Sequence, residues 1–165
     1  MGKHTMASNQ DRSPDLAAGS TATETVTVDP SRLNLLVVDN EAAHARAMTE
    51  SLEKVGYVCE VATSGPEAAK LIERETYDII ITDMVMNDVD GMQILKLAQD
   101  RLPECEVVMV TGHATVPIAV EAMQRGAFNF LEKPITPNRL RAIAEKAAEA
   151  VFLKRHNTEL LQRLD

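Results

Sequence analysis

Four places in this 165-residue chain set reactive side chains directly behind an apolar run. Asp39, Asn40 and Glu41 follow LNLLVV. Asp83 follows DIIIT and is itself followed by Asn87, Asp88, Asp90 and Gly91. Thr111 ends EVVMVT, with Gly112 and His113 behind it, and Lys133-Pro134 follows FNFLE. Each has a plain explanation when taken alone: a buried strand surfaces and its end is solvated, a threonine caps a helix, a lysine before proline sits on the surface. Together they supply two acids, an amide, a hydroxyl and an amine. That set fits a site in which one carboxylate, Asp83, is held in place to react while the others manage charge around it.

The elements between these points would have to bring them together. LNLLVV precedes a helix expected over Glu41 to Val55, and YVCEVA one over Pro66 to Glu75. DIIIT leads through the acidic loop to a helix from Gly91 to Arg101. EVVMVT precedes a helix over Val116 to Arg125, and FNFLE a long one starting near Pro137. Five strand–helix units in succession imply an α/β fold, a parallel sheet with helices on both faces. The first, third and fourth runs are nearly unbroken aliphatics, as strands covered on both sides should be. YVCEVA alternates with polar Glu60 and suits an edge. Gly56 and Gly126 stand where helices end, and Thr115 and Thr136 stand as caps before Pro117 and Pro137. In such a sheet, ligands bind beyond the carboxyl ends of the strands, which is where all four polar sets fall.

Composition sets the class. A hydrophobic fraction of 45% with 25% charged residues is ordinary for a globular protein, and one domain with flanking segments fits the length. No run is long enough to span a membrane and no signal peptide opens the chain, so a cytoplasmic protein without membrane attachment is expected. Cys59 and Cys105 lack metal-ligand spacing and read as reduced packing residues. A net charge of −8 with scattered basic residues argues against direct nucleic-acid binding. Residues 1–30 read as a disordered leader, and MGKHTMAS as its expression-derived part; residues 31–151 form the domain, and residues 152–165 a helical linker.

Taken in order, LLVVDNE, DIIITDMVMNDVDG, MVTGHAT and GAFNFLEKP resemble the response-regulator receiver domain, the phosphoacceptor module of two-component signalling. The likeness spans about Leu33 to Val151. The wording VTGHAT…GAFNFLEKP is most similar to receivers on activators of the nitrogen-regulatory and dicarboxylate-transport type, which work with the alternative sigma factor. The resemblance implies a flavodoxin-like, doubly wound (βα)5 fold with strand order 2-1-3-4-5. It also implies that Asp83 accepts a phosphoryl group from a phosphohistidine on a sensor histidine kinase, and that the chain catalyses only its own phosphorylation and dephosphorylation.

The chemistry is consistent with those residues. A carboxylate attacking a phosphoryl group meets charge repulsion, which a bridging divalent cation relieves. Asp39 and Asp83 are hard oxygen donors suited to Mg²⁺, Asn40 can add its amide carbonyl, and the family adds a backbone carbonyl, here that of Val85. Lys133 offers a point charge and Thr111 a hydroxyl to phosphate oxygens. By resemblance, Thr111 and Phe130 form the switch that passes the signal to the surface of the fourth helix, fifth strand and fifth helix. His113 and Glu41 are rim residues that tune the site, although Glu41 also sits favourably at a helix's positive N-terminus. Lys133-Pro134 matches a cis peptide in the family. Apolar Val85 cannot orient water, so autodephosphorylation should be slow.

Two departures stand out. Receivers usually carry two consecutive acids after the first strand, and here the second is Asn40. At about 4 Å and an effective dielectric near 20, a unit charge pair is worth about 4 kcal/mol before desolvation, so Mg²⁺ should bind more weakly. Asn87 replaces a proline common in that loop. Beyond the domain, Ala150, Leu153, Asn157, Leu160 and Leu164 fit a short heptad seam with an Asn that can set register, implying a homodimer and a linker toward an output domain. Two other readings stay open. One is a degenerate receiver that binds partners without phosphorylation, which Asn40 allows. The other is an Asp-nucleophile phosphohydrolase, against which Val85 counts, since such enzymes place an acid two residues after the nucleophile.

Overall fold

The computed structural model describes residues 27–113 and 115–164. The expected leader, residues 1–30, falls almost wholly outside them. After a 3₁₀ turn at Pro30–Arg32, the elements run β1 (Asn34–Val38), α1 (Ala42–Glu53), β2 (Val58–Ala62), α2 (Gly65–Arg74), β3 (Ile79–Asp83), α3 (Gly91–Arg101), β4 (Glu106–Thr111), α4 (Val116–Gln124), β5 (Asn129–Glu132) and α5 (Pro137–Arg163). All five strands pair in parallel, in the order β2-β1-β3-β4-β5. This is the flavodoxin-like arrangement that the resemblance implied.

Burial follows the sequence pattern. Every residue of β3 and β4 is buried, and β2, whose pattern alternates, lies at the edge with Glu60 exposed. Strand side chains alternate between faces. Leu35, Val37, Ile79, Ile81, Val108 and Val110 pack under α1 and α5, while Leu36, Val38, Ile80, Val107 and Met109 pack under α2, α3 and α4. Each fully buried isoleucine of β3 contributes about 1.5–3 kcal/mol. The same alternation carries past the strand ends. Asp39 continues the Leu35–Val37 face, Asp83 the Ile79–Ile81 face and Lys133 the Leu131 face, so all three fall on the α1/α5 side of the sheet.

Caps account for most helix starts. Ser64, Asp90, Thr115 and Thr136 each accept a backbone N–H of the first turn, and Asp90 with Gln93 completes a capping box. Helix α1 begins at Ala42 rather than Glu41, because Glu41 keeps an extended backbone and serves as an N-cap without a side-chain bond. It also ends at Glu53, ahead of the expected Val55, and Gly56 at φ 105° closes it as expected of a cap glycine: its N–H donates to the Glu53 carbonyl and the Tyr57 N–H to the Leu52 carbonyl. Helix α2 starts one residue early, at Gly65. Gly91 has a positional role: a Cβ there would lie 2.8 Å from the Asp83 carbonyl oxygen, so only glycine lets α3 start against the backbone of that residue. Helix α5 continues well past Val151, its last buried residue, leaving Phe152, Leu153, Leu160, Leu161 and Leu164 exposed.

Candidate functional site

The ends of β1, β3, β4 and β5 meet at one rim, above a cavity of about 600 Å³. Asn40, Glu41, Asp83, Val85, Thr111, His113 and Lys133 line it, with Ala47, Met48 and Ile135 forming an apolar wall. Asp39 lies fully buried beneath. The centre is an ion-pair triad in which Lys133 Nζ donates to Asp39 Oδ2 at 2.8 Å and to Asp83 Oδ2 at 3.2 Å. Asp39 and Asp83, 44 positions apart along the chain, thus share the ammonium of a lysine that lies 94 and 50 positions beyond them.

Backbone donors fix the remaining lone pairs. Glu41 N–H donates to Asp39 Oδ1 at 2.9 Å, and Val85 N–H donates to Asp83 Oδ1 at 3.3 Å. Lys133 N–H donates to the Thr111 carbonyl at 2.8 Å, extending the β4–β5 ladder and holding the lysine beside β4. The Lys133–Pro134 peptide is cis. Burial acts to lower the Lys133 pKa, but the hydrogen bonds and charges of Asp39 and Asp83 more than offset it, so the amine titrates above the ordinary lysine value and is a full cation at neutral pH.

Thr111 is buried with its hydroxyl at the cavity, where it accepts His113 N–H at 3.2 Å. The His113 and Val85 side chains are exposed at the rim, and Val85 is 66% exposed. Phe130 does not line the cavity. It is half-buried on β5, opposite Met109 in the register, and packs on the α2/α3/α4 side. Asn87 is exposed, and Asp88 beside it adopts φ 66°.

One polar residue of the cavity, and the apolar wall of Ala47, Met48 and Ile135, were missed from sequence. His44 Nδ1 lies 3.3 Å from Glu41 Oε2 and 4.0 Å from Asp39 Oδ2. Its spacing of three from Glu41 on a helix was the available signal.

The donors at the rim are hard oxygens of the kind Mg²⁺ takes: the Asp39 and Asp83 carboxylates, the Asn40 amide and the Val85 carbonyl. Among the described residues no group of three or more His, Cys, Asp or Glu is placed to hold a metal. A cation here would therefore rest on two carboxylates and complete its shell with neutral oxygens.

Known proteins share this architecture. The family described as the response regulator receiver domain matches residues 35–145. The alginate biosynthesis transcriptional regulatory protein AlgB of Pseudomonas aeruginosa is 37% identical over 115 residues, covering 70% of this chain and 26% of that protein. The crystal structure of NtrX from Brucella abortus matches with a TM-score of 0.72 at 32% identity, covering 78% of this chain and 29% of that one. The solution structure of the beryllofluoride-activated NtrC4 receiver domain dimer matches at 0.68 and 33% identity, covering 72% and 98%. The chain thus spans less than a third of the length of the curated relatives it matches. No described helix is long and apolar enough to cross a membrane.

Proposed function

The chain belongs to the response regulator receiver domain family, and from that premise we propose that it accepts a phosphoryl group on Asp83 from a phosphohistidine of a sensor histidine kinase. The observation that carries this reading is the Asp39–Lys133–Asp83 triad at the floor of an open cavity that Thr111 also lines.

The transfer forms an Oδ–P bond at Asp83 as the N–P bond of the donor breaks, and the departing imidazole takes up a proton. Asp83 is held for attack by its position at the end of a fully buried strand and by the Val85 N–H. Lys133 balances the charge of two adjacent carboxylates before transfer and offers its ammonium to a phosphoryl oxygen afterwards. The Thr111 hydroxyl can leave its local partner and donate to another oxygen. Asp39, Asn40, Asp83 and the Val85 carbonyl would hold Mg²⁺, whose charge relieves repulsion between nucleophile and phosphoryl group. Movement of Thr111 toward the phosphoryl group is coupled to Phe130 and so to the face formed by α4, β5 and α5. His113, Glu41 and Val85 tune the lifetime of the acyl phosphate from the rim.

In this reading residues 31–151 are the receiver, and residues 152–165 a linker toward an output domain that controls transcription in the cytoplasm. The exposed Leu153, Leu160 and Leu164 at heptad spacing support pairing with a second copy. A phosphorylation-independent interaction module is the second reading, favoured by the neutral Asn40. Incubation with acetyl phosphate and Mg²⁺, followed by intact mass measurement, separates the two. The first requires one phosphoryl group on the parent and none on Asp83→Asn; an unmodified parent supports the second.

A further inference from the structure

At the end of the sheet opposite the cavity, three acids and two bases that the phosphoryl chemistry does not use are paired with one another. Asp78 precedes β3, Glu104 precedes β4 and Glu106 starts β4. Asp78 and Glu106 are only 3% and 7% exposed. Their cationic partners come from the part of α5 beyond its last buried residue. Lys154 Nζ lies 2.5 Å from Glu106 Oε1, Arg155 pairs with Asp78 Oδ1, and Arg155 Nε lies 3.4 Å from Glu104 Oε2. Asp78 Oδ2 also accepts the Asn34 N–H of β1 at 2.7 Å. The carboxylate of Asp78 therefore ties β1 and β3 to the outgoing helix.

We infer that Lys154 and Arg155 form a clasp that fixes the exit direction of α5 against the lower rim of its own sheet and turns the exposed Leu153, Leu160 and Leu164 away from the domain. The geometry follows from about 100° of rotation per residue. Val151, Lys154, Arg155 and Thr158 cluster on one side of the helix, and Leu153, Asn157, Leu160 and Leu164 on nearly the opposite side. Without a clasp, the stretch after Val151 would have no apolar anchor to the sheet, and a free helix of about a dozen residues is marginal in water. With it, the helix leaves the domain as a rigid continuation whose orientation is set by β3 and β4, the strands that also carry Asp83 and Thr111. The inference deepens the pairing proposed for this helix but does not depend on it, because the clasp is intramolecular.

The test is hydrogen exchange on the full chain, at a dilution where sedimentation shows monomer. Two variants remove the clasp from either side: Lys154→Ala with Arg155→Ala, and Asp78→Asn with Glu104→Gln and Glu106→Gln. The second leaves no uncompensated buried carboxylate. Both should speed exchange of residues 156–163 at least tenfold; in the second, amides of β1, β3 and β4 should change little, whereas the first also lowers sheet protection because it leaves Asp78 and Glu106 buried without a counter-charge. Unchanged tail protection in either variant would overturn the inference. So would loss spread equally over the sheet in the second variant, since that describes a general stabilising contact rather than a clasp. If the parent never pairs at any concentration, the homodimer reading fails while this test still stands.

Discussion

Replacing Lys133 by methionine keeps the length of the side chain and removes the one cation shared by Asp39 and Asp83. Removing one partner of a buried ion pair costs about 3–5 kcal/mol, while an exposed pair is worth about 0–1. Here the lysine side chain is 19% exposed and the carboxylates 0% and 9%, but the group opens onto the cavity. A loss of about 2–3 kcal/mol is therefore expected. For a domain of this size, about 4 °C of Tm accompanies each kcal/mol, so the variant should melt about 8–12 °C below the parent. Saturating Mg²⁺ should recover part of the loss, because a divalent cation held by the same carboxylates replaces the missing charge. Scanning calorimetry with and without Mg²⁺ reads both effects. A variant as stable as the parent without divalent ions would refute the idea that Lys133 balances the two acids, and an Mg²⁺ effect equal in both proteins would refute the rescue.

Asn40→Asp should tighten Mg²⁺ binding. Because Asn40 is exposed, the gain is nearer 1–2 kcal/mol than 4, roughly five- to thirtyfold in Kd by calorimetric titration, and an unchanged Kd refutes the charge argument. Alkaline pH should destabilise the parent. Burial pushes the thiols of Cys59 and Cys105 up from 9.0 to about 12, so between those values unfolding releases protons and stability falls as pH rises; urea midpoints that stay flat from pH 8 to 10 would contradict this. Lys133, raised above 10.5, adds stability that is fully present below that value and lost above it. For the same reason the native thiols should react with iodoacetamide at pH 8 about a thousandfold more slowly than those of the unfolded chain. The acyl phosphate should outlast seconds, and Val85→Asn should shorten its life by giving water a polar neighbour; decay followed by intact mass checks both.

Much of this was legible in the sequence because strands and rim obey one rule. Period-two alternation in the aliphatic runs fixes which residues face α1 and α5, and it carries Asp39, Asp83 and Lys133 to the same side without any long-range information. The caps Thr115 and Thr136 and the edge position of β2 were equally local. What escaped depended on distance in the chain. His44 looks like a surface residue of an amphipathic helix until β1 and α1 are set together. Asp78, Glu104 and Glu106 drew no reading from the sequence, because their partners lie about 50 to 75 residues later in the chain, toward the end of α5. The start of α1 was placed one residue early because Glu41, a good helix former, takes an extended backbone when its N–H is drawn to Asp39. Phe130 lies on the α4 side of β5, turned from the cavity, where alternation along the strand places it.

The claim everything else depends on is that Asp83 is the atom-bearing residue of the phosphoryl transfer. Borohydride reduces an aspartyl phosphate to homoserine and leaves free carboxylates alone, so peptide mapping after treatment with acetyl phosphate, Mg²⁺ and borohydride marks the acceptor directly. Conversion of residue 83 alone to homoserine is the expected result; conversion at Asp39, at the acids behind β3, or nowhere would contradict it.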